Sequence, residues 1–132
     1  MTRINCIPVQ ELVDKHLVAE YRELPRVLRL ASKQAFTKRG LYTLQAPGEY
    51  TLGKGHVKFF YTRLEYCHIR YQQLIDEMYD RGYQPTPENY KPILEYFRQS
   101  ADWHYGWFYL DWIPTDEAME LNRQRIAERL NK

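Results

Sequence analysis

Between Val57 and Gly82 apolar residues return every three or four positions: Val57, Phe60, Tyr61, Leu64, Cys67, Tyr71, Leu74, Ile75 and Met78. That spacing lines one face of an α-helix and cannot line one face of a strand, whose side chains alternate with a period of two. The run predicts a central core helix, stopped by Gly82, and it requires other elements to cover its apolar face. The remaining chain offers helices for that purpose. Val9, Leu12, Val13, Leu17 and Tyr21 predict a first helix from about Val9 to Arg22. Pro25 disfavours helical geometry at Leu24, so a turn is expected from Glu23 to Pro25. A second helix then follows from Arg26 to about Thr37, with Gly40 as its stop. Near the end, Thr115 stands behind Pro114 as an N-cap, with Asp116 and Glu117 in the first turn of a helix running to about Leu130. The expected fold class is all-α: a single compact domain spanning 1–132, a helical bundle with long loops around one central core helix.

The connections are marked by turn formers. Pro47-Gly48 and Gly53-Lys54-Gly55 make residues 41–55 a loop that bends before a helix. Gly-Lys-Gly lacks the GxxxxGK[ST] spacing of a phosphate-binding loop. Pro85, Pro87 and Pro92 predict an irregular connection and then a helix starting near Pro92. The run Trp103 to Tyr109 is almost entirely rings.

Hydrophobic residues form 44% of the chain and charged ones 27%, which is globular composition. The net charge of +2 does not by itself name a nucleic-acid partner, but residues 1–40 carry eight Lys/Arg against four Asp/Glu. One end of the molecule is therefore expected to be basic. No apolar leader or membrane-length run is present, so the expectation is a cytoplasmic protein with no membrane partner; a monomer is expected. Cys6 and Cys67 do not pair as metal ligands and read as small core residues. Histidines at 16, 56, 68 and 104 form no HExxH pattern, so neither a metal nor another cofactor is expected.

The N-terminal stretch brings a resemblance. Thr2-Arg3-Ile4-Asn5, Glu11-Leu12, Asp14, His16-Leu17 and Ala19-Glu20-Tyr21-Arg22-Glu23-Leu24-Pro25-Arg26-Val27 closely resemble the pyrimidine-dimer DNA glycosylase (phage endonuclease V) family. Leu52-Gly53, Gly55-His56-Val57, Phe59-Phe60-Tyr61, Leu64-Glu65, Leu74-Ile75 and Arg81-Gly82 continue the likeness in the same order. The resemblance implies a repair enzyme acting on damaged double-stranded DNA, with N-glycosylase and abasic-site lyase activity. It carries the nucleophile onto the α-amine of Thr2, freed by removal of Met1, and the acid–base carboxylate onto Glu23. Such an amine has an unperturbed pKa of about 7.7–8.0, so a large fraction is neutral and nucleophilic at physiological pH. The resemblance places Arg3, Arg22 and Arg26 at the DNA, with His16 beside them and Arg125 and Arg129 on the last helix; guanidinium groups suit phosphate. Arg129 stands where the family's best-known member has lysine. That member also ends in an aromatic tail absent here, while this chain has the aromatic run at 103–109. The alternatives are an abasic-site lyase, a glycosylase for another base lesion, or a non-catalytic DNA-binding protein.

Overall fold

A computed structural model describes residues 4–36, 48–53, 55–87 and 111–131. Among them are four α-helices and no β-strand: α1 (Asp14–Phe36), α2 (His56–Phe59), α3 (Leu64–Asp80) and α4 (Asp116–Leu130). Two 3-10 turns, Val9–Glu11 and Phe60–Thr62, precede α1 and α3. The protein is all-α, with α3 at the centre of the core as its periodicity predicts. Among the described residues no helix is long and apolar enough to cross a membrane.

One expectation fails at Pro25. The chain does not turn there; α1 runs through it for 23 residues, or about 34 Å. An interior proline costs a helix about 3 kcal/mol, through the missing N–H and a clash with the preceding turn. The apolar stripe outweighs that cost. Leu24, Val27, Leu28 and Ala31 are all buried and extend the line begun by Leu17. Each large aliphatic side chain removed from water stabilises by about 1.5–3 kcal/mol, so breaking the helix would lose more than the proline does. The helix also starts later than expected, at Asp14, because Leu12 is extended (φ −76°, ψ 135°) and residues 9–11 form the separate turn. Gly40 lies outside the described residues.

The central helix starts later as well, at Leu64 rather than near Val57. Phe59, Phe60 and Tyr61 are all buried, yet three consecutive residues span about 200° of a helix's circumference. One regular helix cannot turn all three inward against the same neighbours. The backbone tightens into the 3-10 turn and leaves the helical region at Arg63 (φ −131°, ψ 47°). The Arg63 guanidinium folds back to donate to the Phe59 carbonyl (2.7 Å) and Thr62 Oγ1 (3.1 Å), lying 3.8 Å from the centre of the Phe59 ring. At the far end the expected stop is present. Gly82 takes φ +90°, and the Tyr83 N–H donates to the Met78 carbonyl at 2.8 Å.

Helix α1 packs on α3, burying Leu17, Leu24, Val27 and Leu28 with Leu64, Cys67, Leu74 and Met78, and stacking Tyr21 on Tyr71 at 5.5 Å. Both cysteines are buried core residues as expected, and burial pushes the Cys6 thiol up to about 12 and raises Cys67 as well. The expected bend before residue 56 is made by Gly53 and Gly55, at φ +72° and +91°. Thr115 caps α4 as its sequence suggests, its Oγ1 accepting from the Ala118 N–H at 3.0 Å. Residues 88–110, with the helix expected near Pro92 and the aromatic run, lie outside the described residues.

Candidate active site

Residues 4–7 form a segment without regular secondary structure whose main chain is bonded by side chains. The Ile4 N–H donates to His56 Nε2 at 2.9 Å, and the Tyr50 hydroxyl donates to the Ile4 carbonyl at 3.4 Å. The Tyr66 hydroxyl donates to the Asn5 carbonyl at 3.1 Å. Asn122 Oδ1 accepts from the N–H groups of Cys6 (2.7 Å) and Ile7 (3.3 Å), and Arg70 donates to the Ile7 carbonyl. Buried backbone groups need such partners, and here they come from three parts of the chain: residues 50–56, α3 and α4.

Beneath this segment lies a buried charged network. Glu20 and Arg70 pair twice, Nε to Oε2 at 2.8 Å and the second nitrogen to Oε1 at 3.0 Å. Their side chains are 0% and 3% exposed. Asn5 Nδ2 donates to Glu20 Oε1 at 2.8 Å, while Asn5 Oδ1 accepts from Asn122 Nδ2 at 2.8 Å. Burial disfavours the Arg70 charge, and the Glu20 carboxylate more than offsets this, so its pKa is raised. None of Glu20, Arg70 or Asn122 is a residue that the sequence singles out as functional. Two of them leave a trace in it. Glu20 stands between Leu17 and Leu24 on the apolar stripe of α1, and Arg70 between Cys67 and Leu74 on that of α3. A charged residue at a core-facing position of each helix signals a pair.

Above the network α1, α4 and residue 5 enclose a cleft of about 120 Å³, lined by Asn5, His16, Ala19, Glu20, Glu23, Ile126 and Arg129. His16, Ala19 and Glu23 share one face of α1, and Ile126 and Arg129 one face of α4. The fold thus brings Arg129 to Glu23 and His16, across more than a hundred positions of the chain. Arg26 stands 3.8 Å from Glu23 on the same helix, its side chain 60% exposed. Arg22 is exposed on α1. Arg125 does not line the cleft; it pairs with Glu128 at 3.5 Å on the surface of α4. Thr2 and Arg3 lie outside the described residues.

A larger hollow of about 610 Å³ also borders the N-terminal segment. It carries Asp76, Glu77, Asp80 and Asp111, charges of the wrong sign for a phosphate backbone, and none of the expected site residues. Among the described residues no group of three or more His, Cys, Asp or Glu could hold a metal ion.

A family model described as pyrimidine dimer DNA glycosylase matches residues 1–91, over two thirds of the chain. The chain belongs to the pyrimidine dimer DNA glycosylase family. Its membership makes it a DNA repair glycosylase, with DNA as the substrate. The match spans the N-terminal segment, all of α1 and all of α3, and with them Glu23 and the Glu20–Arg70 pair. Helix α4 lies beyond it, so the cleft lined by Glu23 and His16 is closed on one side by Ile126 and Arg129 from outside the matched range.

Proposed function

We propose that this glycosylase excises UV-induced pyrimidine dimers from duplex DNA and cleaves the resulting abasic site, through an imine formed by the α-amine of Thr2. The observation that supports this most directly is the cleft in which Glu23, His16 and Arg129 meet beside Asn5. Thr2 is two residues before Ile4, and successive Cα atoms are 3.8 Å apart, so its Cα lies within about 7.6 Å of that of Ile4. A neutral amine there attacks the sugar carbon bearing the damaged base. The C–N bond to the base breaks, the base leaves with the bonding electrons and a proton, and the opened deoxyribose becomes the imine. The protonated imine acidifies the adjacent sugar C–H. Loss of that proton expels the 3′ phosphate by β-elimination. Glu23 serves as the acid–base carboxylate in both stages. The protein acts as a cytoplasmic monomer.

Borohydride added during turnover is expected to trap a covalent protein–DNA adduct at the Thr2 amine of the Met1-processed chain, and acetylating that amine to abolish it. Peptide mapping of the adduct decides the point: attachment through a lysine would sink the assignment.

The cations hold and bend the duplex so that the nucleotide can be extruded. Arg3, Arg22, Arg26, Arg125 and Arg129 are the proposed phosphate contacts, with His16 at the cleft. Arg26→Ala is expected to lower the slope of log affinity against log salt by roughly 1. An unchanged slope in a salt titration would remove Arg26 from the interface.

A further inference from the structure

His56 sits at the end of the glycine-bent loop, buried, where α2 begins. Its two ring nitrogens have fixed roles. Nε2 faces the Ile4 N–H at 2.9 Å and must accept; Nδ1 therefore carries the proton and donates to the Thr51 carbonyl at 2.8 Å. The ring meets Tyr50 and Phe60 edge-on, each with centroids 5.5 Å away, so packing sets its orientation as well. Tyr50 meets the carbonyl of the same residue, Ile4, from the loop. Ile4 is thus held at both its N–H and its carbonyl. In the sequence it stands two positions after Thr2.

We propose that His56 is a positioning residue for the N-terminal nucleophile: by holding the Ile4 N–H it sets where the Thr2 amine stands relative to Glu23. The inference rests on the reading of Thr2 as nucleophile. A backbone anchored at residue 4 leaves only two peptide units of freedom to the amine. Without the anchor the main chain before Asn5 gains a further residue of play, and the amine samples positions away from the sugar carbon. Misplacement of a reacting group by about 1 Å can lower the rate about a hundredfold. His56 itself touches neither the amine's target nor the DNA in this account, so its effect falls on chemistry and not on binding.

The test compares His56→Phe, which keeps a packed ring and removes the acceptor, with His56→Gln, which restores an acceptor near the Nε2 position. The readout is the single-turnover rate of borohydride-trapped adduct on a duplex with one abasic site, at saturating protein and well below each variant's melting temperature. Duplex affinity is measured alongside. The proposal expects His56→Phe to slow trapping about a hundredfold with unchanged affinity, and His56→Gln to recover most of the loss. Trapping at the parental rate in His56→Phe would overturn it. So would equal slowing in both variants in step with their melting temperatures, which marks a purely structural ring. Adduct mapping on the parent protein keeps the two readings apart: attachment elsewhere than Thr2 defeats the nucleophile assignment, whatever the variants do.

Discussion

Replacing Glu23 by glutamine is expected to lower the rate of strand cleavage by about 10²–10⁴-fold, with duplex affinity and melting temperature close to those of the parent. Glu23 has a plain structural alternative, since Arg26 stands 3.8 Å away and the two side chains are 36% and 60% exposed. Exposed pairs of that kind contribute only about 0–1 kcal/mol. Loss of a pair of that strength cannot lower the rate by three orders of magnitude through unfolding. The substitution preserves shape and removes the ability to exchange a proton, so the loss should appear in the chemical step measured under single turnover. Matched losses of stability and activity would instead assign Glu23 to the surface ion pair.

Arg70→Met should be the most damaging single change to the fold, at about 3–5 kcal/mol, because it strands a buried carboxylate. Glu20 would keep Asn5 as a partner and lose both bonds to the guanidinium, and the Ile7 carbonyl would lose its donor as well. Arg70→Lys should not rescue: one ammonium on a flexible stem cannot reproduce the paired contact to Glu20 and reach Ile7 besides. The double variant Glu20→Leu with Arg70→Met should recover much of the loss, since a buried ion pair replaced by apolar groups is often close to neutral. Urea unfolding of the two single variants and the double one gives the coupling directly. A loss below 1 kcal/mol for Arg70→Met would mean that the carboxylate is neutral or solvated in the native state.

The apolar periodicity of 57–82 made the central element legible, because packing on one face repeats with the helical period and little else does. Thr115 and Gly82 were legible for a local reason: an N-cap and a left-handed stop are properties of a few adjacent residues. Pro25 and residues 57–63 were misread because there a local preference conflicts with burial, and burial is settled by partners distant in the chain. The cleft shows the same division. His16 and Glu23 share a face of α1 by spacing alone, but Arg129 joins them only through the docking of α4. Asn122, fully buried and bonded to Asn5, Cys6 and Ile7, fastens that helix, along with Met119 and Ile126 on the core and the Arg123–Glu11 pair. An asparagine in a polar helix carries no pattern that distinguishes it from a solvated one. His56 was likewise one of four scattered histidines until its partner proved to be a backbone N–H 52 residues earlier.

The way residues 4–7 are held also has a consequence for the order in which the protein is made. Translation produces the N-terminus first, yet its fasteners arrive in sequence and late: Tyr50 and His56, then Tyr66 and Arg70, and finally Asn122 at separations of 115 to 117 residues. Closing a loop that long is entropically costly until the last helix has left the ribosome and can pack. A nascent chain without α4 therefore lacks the Asn122 bonds to Asn5, Cys6 and Ile7. Residues 5–7 therefore reach their final arrangement only after Asn122 has been made and α4 has packed, and any chemistry that depends on that arrangement waits for a helix more than a hundred residues downstream.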